Sequence, residues 1–464
     1  MQGVTLAIGI VGSILVLLLR PAYALAAYIG VLIWYPDYLR VSIGTIDISA
    51  GRIVVAILLL RCLCDDQLRR RFVWSRLDTL VTLSMVVYVG MYCLMYTPLF
   101  GAIENRSGFL IDTWFSYLAV RMCIRGRTDM IAAIKLIAVA LAPLAALGVV
   151  EAITGWQPFL VLRQYCPWLP EVRTYGVRWG LNRGWGPFSH PIMFGACFVM
   201  FLPLIWSLRH QRGYWGRLAY PLSAITVLGG LSSMSSGPWG MLIIVVFCLV
   251  LERYKRWTKA VLMWLFVLCI LAEIGSNRPL YHVVLQTINL AKGSWYQRAK
   301  LIDFAIRDFD EWWLAGYGGR DPGWAEAMGE RVTDCNNEFI LKAVQYGMLG
   351  VIALAATLAM AFRGLVRAFK ETTDKELRSL YWAMGCALVG VIVIWQGVSF
   401  FGTPAALFYC LLGTIGSSIG LAKYVEPHGR TLQIASSNIP VLMYAGGAER
   451  APADAVRGID GART

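Results

Sequence analysis

The segment Asn182-Arg183-Gly184-Trp185-Gly186-Pro187-Phe188-Ser189-His190-Pro191 joins an arginine to a Gly/Pro-rich turn and then to an apolar run beginning near Ile192. Four arginines, Arg163, Arg173, Arg178 and Arg183, share this loop with a single carboxylate, Glu171. Guanidinium groups present planar forks of donors that match phosphate and carboxylate oxygens. An excess of them over local acids therefore reads as a seat for an anion. His190 is a candidate in the same element, either as a base or as a structural hydrogen-bonding residue where Pro191 starts a helix.

A second set of candidates lies in 276–337. Its periodicity predicts a helix over 294–310, with Lys300, Asp303 and Arg307 forming a polar stripe at i, i+3 and i+7. Arg298 is turned about 200° from Lys300 and falls on the apolar side with Trp295, Leu301 and Ile302. A guanidinium there needs a carboxylate or a phosphate, unless it snorkels to water. The cluster from Leu314 to Gly323 predicts tight turns and close backbone approach. It is not a nucleotide loop, because no strand precedes it and no Lys-Ser/Thr follows. Asp334-Cys335-Asn336-Asn337-Glu338 then opens the apolar run Phe339 to Phe362. Asn336 or Asn337 is expected to cap that helix, and both could orient a reacting hydroxyl. Asp334 and Glu338 are the candidate proton acceptors.

The elements that must position these groups are apolar. Of 464 residues, 58% are hydrophobic and 15% charged, with mean hydropathy +0.60. A soluble chain with a polar surface to cover does not reach those values, so an all-α polytopic membrane protein is expected. Apolar runs near 4–19, 22–37, 50–64, 79–97, 109–123, 129–152, 190–208, 218–234, 238–252, 258–275, 338–362, 379–400 and 403–422 predict twelve or thirteen spans. The count depends on whether the first two cross separately. No basic residue precedes the first run, which argues for a retained helix and against a cleaved signal. Basic clusters at Arg61–Arg76, Arg121–Arg127, Arg209–Arg217, Arg253–Lys259 and Arg363–Arg378 fall on one side when the spans alternate, predicting that side as cytoplasmic.

The expected organisation is N-terminal spans in 1–152, an outside arginine-rich loop in 153–189, central spans in 190–275, a large outside loop in 276–337, C-terminal spans in 338–422 and a cytoplasmic, disordered tail in 423–464. The net charge of +14 is thus topological and no nucleic-acid partner is expected. Cys62-x-Cys64 lacks a second pair with zinc-ligand spacing. Cys166 and Cys335, one in each outside loop, are the pair that an oxidising compartment could join.

Three elements together resemble the O-antigen ligase and O-antigen polymerase-like superfamily of bacterial envelope proteins. Arg183 to Pro191 is similar to the family's Arg–Gly–aromatic–Asn/His–Pro element before a helix. Arg298, in Trp-Tyr-Gln-Arg-Ala-Lys-Leu, with Leu314-Ala-Gly-Tyr-Gly downstream, resembles its second arginine and the following turn. Asn336-Asn337-Glu-Phe-Ile-Leu-Lys, continuing to Gly350, resembles the element that opens the helix after the large loop. The likeness covers roughly 170–360. Where ligases carry a His this chain has Asn336, and Ser233 to Trp239 lacks the arginine found in relatives, which tilts the likeness toward a polysaccharide polymerase.

The resemblance implies glycosyl transfer in exopolysaccharide or O-antigen biosynthesis, at the outer face of the bacterial plasma membrane. The donor would be a saccharide on undecaprenyl pyrophosphate and the acceptor a glycan hydroxyl, with other polysaccharide assembly and export proteins as partners. It implies Arg183 and Arg298 as the groups that stabilise the departing pyrophosphate, Arg178 and His190 as further binding residues, and no metal or other cofactor. Three alternatives stay open: an O-antigen ligase proper, a transporter or flippase of lipid-linked saccharides, and a relative that binds lipid-linked glycan without acting on it.

Overall fold

A computed structural model describes residues 1–96, 98–166, 176–277, 279–283, 295–329 and 333–424. Glu171, Arg173 and the tail beyond Tyr424 lie outside the described residues. Among the described residues the regular structure is helical apart from one short hairpin and an isolated bridge between Arg178 and Leu181. The helices are α1 (Gln2–Leu18), α2 (Pro21–Trp34), α3 (Ala50–Cys64), α4 (Asp66–Arg71), α5 (Arg76–Met95), α6 (Leu99–Leu110), α7 (Ser116–Cys123), α8 (Arg127–Thr154) and α9 (Pro191–Ser207). They continue with α10 (Tyr214–Ser232), α11 (Ser236–Leu251), α12 (Thr258–Gly275), α13 (Trp295–Arg307), α14 (Phe309–Trp312), α15 (Trp324–Met328), α16 (Glu338–Glu371), α17 (Lys375–Trp395) and α18 (Thr403–Tyr424). Between α2 and α3, β1 (Arg40–Ile43) pairs antiparallel with β2 (Ile46–Ser49) around Gly44 at φ 65°.

Among the described residues six helical segments are long and apolar enough to cross a membrane: Arg76–Met95, Arg127–Thr154, Pro191–His210, Lys255–Gly275, Glu338–Glu371 and Lys375–Trp395. Four shorter apolar helices accompany them. The run at 109–123 is not one continuous α-helix, since a π-helical turn at Ile111–Phe115 separates α6 from α7. The 15-residue α3 carries two arginines. Arg52 forms a two-pronged pair with Asp112, Nη2 to Oδ2 at 2.6 Å and Nε to Oδ1 at 2.9 Å, and Arg61 donates to the Val16 and Leu19 carbonyls at the end of α1.

α9 is apolar all round and buried on nearly every side by α8, α10, α11 and α17, as such a helix must be. Its small positions let neighbours close in: a Cβ at Gly195 would lie 2.5 Å from Ser233 Oγ. Charges are matched inside and at the helix ends. Asp78, fully buried, accepts from Arg121 Nε at 2.7 Å and from Tyr117 Oη, and Arg209 pairs with Glu252 at 2.6 Å. Arg127 joins Asp374 and Glu376 at the same end, opposite to the turns that hold the candidate residues.

α16 differs from its expected course. Gly347 has φ 69° and ψ −168°, a conformation open essentially to glycine alone, and it breaks the helix after Tyr346. The turn after α14 fills the break: Met348 N donates to Trp313 O at 2.8 Å, and Tyr317 N donates to Val344 O. The backbone groups freed by the break are therefore satisfied from another element. The two glycines meet face to face. A Cβ at Gly347 would stand 2.8 Å from Leu314 O, and one at Gly316 2.6 Å from Val344 O. Gly347→Ala is expected to cost about 3 kcal/mol, from backbone strain plus overpacking. It should lower the detergent-phase melting temperature, whereas an unchanged melting curve would mean the break can straighten.

Candidate functional site

The Arg183 loop is held from below by α8. Glu151, buried in the last turn of that helix, accepts the N–H of Trp185 (2.8 Å) and of Gly186 (2.9 Å) on one carboxylate oxygen. Asn182 N donates to Ala152 O at 3.0 Å, and Gly184 N to Ser232 O at 2.8 Å. Gly184 must be glycine, because a Cβ would lie 2.7 Å from Gly148 O. So anchored, the Arg183 side chain is buried, with Nη2 2.7 Å from Ser235 Oγ and Nε 3.4 Å from Ser233 O. Arg178 reaches the same turn and donates to Met234 O at 3.3 Å. That turn, between α10 and α11, carries Met234 at φ 46°, and Trp179 stacks on Trp239 across it. Arg163 lies 3.7 Å over the Trp185 ring and donates to Ser189 O.

Arg298 arrives from the second loop on α13. Its helix packs inward through Ala299 and Leu301, both buried, while Tyr296 and Arg307 stay exposed. The guanidinium rests against the turn that ends α17: a Cβ on Gly397 would lie 3.1 Å from its Cζ. Nε is buried with no hydrogen-bond partner, and among the described residues the side chain forms no ion pair. Burial first, and then repulsion from Arg178, lower its pKa from the ordinary arginine value. Asn337 meets the same turn. It caps α16 by accepting Phe339 N at 2.9 Å and donates Nδ2 to Gln396 O at 3.2 Å. The turns are joined through Gly237, whose Cβ would touch Ile192, Ile394 and Val398, each at 3.6 Å. Arg178, Arg183, His190, Arg298 and Asn337 thus gather where the ends of α9, α10, α11, α16 and α17 meet.

His190 caps α9, its Nδ1 accepting Ile192 N at 3.0 Å. Burial, followed by repulsion from Arg183, Arg163 and Arg178, lowers its pKa to about 3. It is therefore neutral and a weak base at neutral pH. Unfolded, the imidazole titrates near ~6.5. A folded pKa below the unfolded one means that the unfolded chain binds more protons in between, so this stabilisation is present above pH ~6.5 and is lost as pH falls toward 3. His190→Asn, which keeps a capping oxygen, should flatten that acid limb in thermal melts across pH 4–7. A variant limb as steep as wild type would place the dependence elsewhere.

The carboxylates separate. Glu338 is buried with Lys342 Nζ 3.0 Å from one oxygen and Phe400 N 3.0 Å from the other, which leaves it a structural anchor. Asp334 is exposed, and among the described residues its carboxylate has no ion pair or hydrogen bond. Crowding by surrounding protein raises its pKa. It lies three residues before Asn337, the cap of α16. Asn336 is half-buried beside it, with its backbone N–H on Asp334 O. Cys166 and Cys335 are not joined by a disulfide: Cys166 packs with Tyr38 and Leu39 and Cys335 with Trp324 and Ile340.

Three features went unforeseen in the sequence. Glu151 had a signal, an ionisable residue in the last turn of an apolar run. The turn Ser233–Ser235 was marked only as the place where relatives carry an arginine, and its part as acceptor for Arg183 had no signal beyond its polarity. A cavity of about 760 Å³ also opens between α3, α6 and α16, lined by the Arg52–Asp112 pair, Asn105, Arg106, Lys342 and Tyr346. Buried Arg106 there is held by Asn105, Tyr346 and the Tyr92 ring, 3.8 Å away. Among the described residues no three His, Cys, Asp or Glu side chains converge as metal ligands would. No protein-family model matches the chain, and no curated protein matches it.

Proposed function

We propose that this chain is a membrane glycosyltransferase that polymerises undecaprenyl-pyrophosphate-linked saccharide units at the outer face of the bacterial plasma membrane. The supporting observation is the convergence of Arg178, Arg183 and Arg298 from two loops onto one group of helix ends, with Arg298 half-buried and without an anionic partner among the described residues. Three cations brought to one group of helix ends call for a bound anion. A diphosphate leaving group answers that demand. As the glycosyl–oxygen bond breaks, its electron pair goes to the diphosphate, and the arginines stabilise the growing negative charge. The acceptor hydroxyl attacks the sugar carbon and yields its proton to Asp334, whose raised pKa brings it closer to neutral and makes it a stronger base. Most ionisable residues cluster at the ends of the apolar runs, with Asp112, Lys135 and Glu273 the exceptions, and that balance favours this reading over a flippase.

The test is the lipid-linked saccharide pool and polymer length in a deletion strain complemented with wild type, Arg298→Ala or Arg183→Ala at matched expression. Single repeat units should accumulate on lipid outside the membrane while polymer disappears. Polymer that stays on the lipid carrier would instead make the protein a ligase. Units retained inside would make it a flippase, and wild-type behaviour of both variants would remove the arginines from the reaction.

A further inference from the structure

α12 is the apolar span that leaves the bundle. None of its residues is buried, in contrast to α9, whose sides are covered almost throughout. Between it and α11, α16 and α17 runs a groove of about 480 Å³ lined by apolar side chains, among them Phe247, Leu262, Leu265, Phe369 and Val389. The α17 wall of the groove continues past it. Beyond its first turn the half-exposed positions of that helix are Trp382, Gly385, Val389 and the adjacent Ile392 and Val393, followed by exposed Gln396, spaced at three and four residues as one helical stripe requires. The stripe ends at Gly397, against which Arg298 rests. The groove's lining reaches Val389 and the stripe carries on to Gly397, so an apolar path leads to a half-buried guanidinium unpartnered among the described residues. Such a path has the chemistry to seat an amphiphile with an anionic head.

We propose that this groove holds the hydrocarbon chain of a lipid whose phosphate head is taken by Arg298. The proposal rests on the reading of Arg298 as an anion's partner and adds where the rest of that molecule lies. From Gly385 to Gln396 the helix rises about 16 Å, so the chain lies in the membrane while its head stays at the helix end. Burial of each methylene contributes roughly 0.8 kcal/mol relative to water. Bulk bilayer supplies the same, so the groove's selectivity comes from the head at Arg298.

Gly385 offers a clean obstruction. A Cβ there meets nothing within 4 Å, so Gly385→Leu projects into the groove without displacing packed atoms. The experiment is photolabelling of the purified full chain in nanodiscs, with undecaprenyl diphosphate bearing a diazirine on its chain and with the matching polyprenol. Labelled peptides are located by mass spectrometry. With wild type, the diphosphate should label the α12 and α17 walls about tenfold more than the alcohol. Gly385→Leu should reduce that label about tenfold while inorganic pyrophosphate still binds with wild-type affinity. Arg298→Ala should erase the preference for the diphosphate. Label on other helices with the diphosphate preference intact overturns the groove and leaves the anion reading standing. Equal labelling of the groove by both probes means bulk bilayer lipid only and overturns both. Unchanged label in Gly385→Leu also overturns the groove.

Discussion

Arg298→Ala should lower polymer-forming turnover about 10²–10³-fold, the loss of one preorganised donor to a developing anion, and leave the melting temperature at or slightly above wild type. The two halves of that result have one cause. The guanidinium donates to nothing within the described protein, so its removal orphans no acceptor and relieves a half-buried cation crowded by Arg178. Arg183→Ala should behave differently. Its side chain links its loop to Ser233 O and Ser235 Oγ, and cutting those bonds should cost about 1–3 kcal/mol of stability in addition to activity. Arg298→Lys keeps the charge but loses the planar fork and should recover only part of the rate. Turnover measured on purified protein beside thermal melts checks each arm. A destabilised Arg298→Ala would reveal a structural role, and an active one would detach this residue from catalysis.

What could be read in the sequence was local. Arg298 on the packed side of its helix follows from 100° per residue, and Asn337 as a cap follows from its place before an apolar run. The turns of Gly316, Gly318 and Gly323 follow from composition, and all three have positive φ. What needed the fold was pairing between elements distant in sequence. Nothing near Gly347 tells that Trp313 and Tyr317 will occupy its break, because those bonds exist only once α14 lies against α16. The β1–β2 hairpin did leave a signal, β-branched alternation about Gly44, but at four residues per strand it is overshadowed by the apolar runs on either side. The thiols Cys166 and Cys335 share an expected side of the membrane without sharing a neighbourhood, since packing on Tyr38 and on Trp324 takes them into different clusters.

Glu151→Ala should inactivate the protein as thoroughly as loss of an arginine, although Glu151 touches no candidate ligand. One of its oxygens receives both the Trp185 and Gly186 N–H groups, which lie two and three residues after Arg183 in the chain. Alanine leaves two buried donors unanswered, at about 1–3 kcal/mol each, and the loop can satisfy them only by moving. Movement takes Arg183 off Ser235 and Trp185 out from under Arg163. A displacement near 1 Å is enough to cost ~10²-fold in a positioned site. Glu151→Gln separates position from charge. The other carboxylate oxygen is buried without a partner, so an amide can present its oxygen to both N–H groups and turn its NH₂ into the unoccupied place. The amide variant should therefore retain most of the stability and of the turnover that alanine loses. If glutamine fails as badly as alanine while its melting temperature holds, then the negative charge of Glu151, and not its geometry, is what the arginine cluster requires.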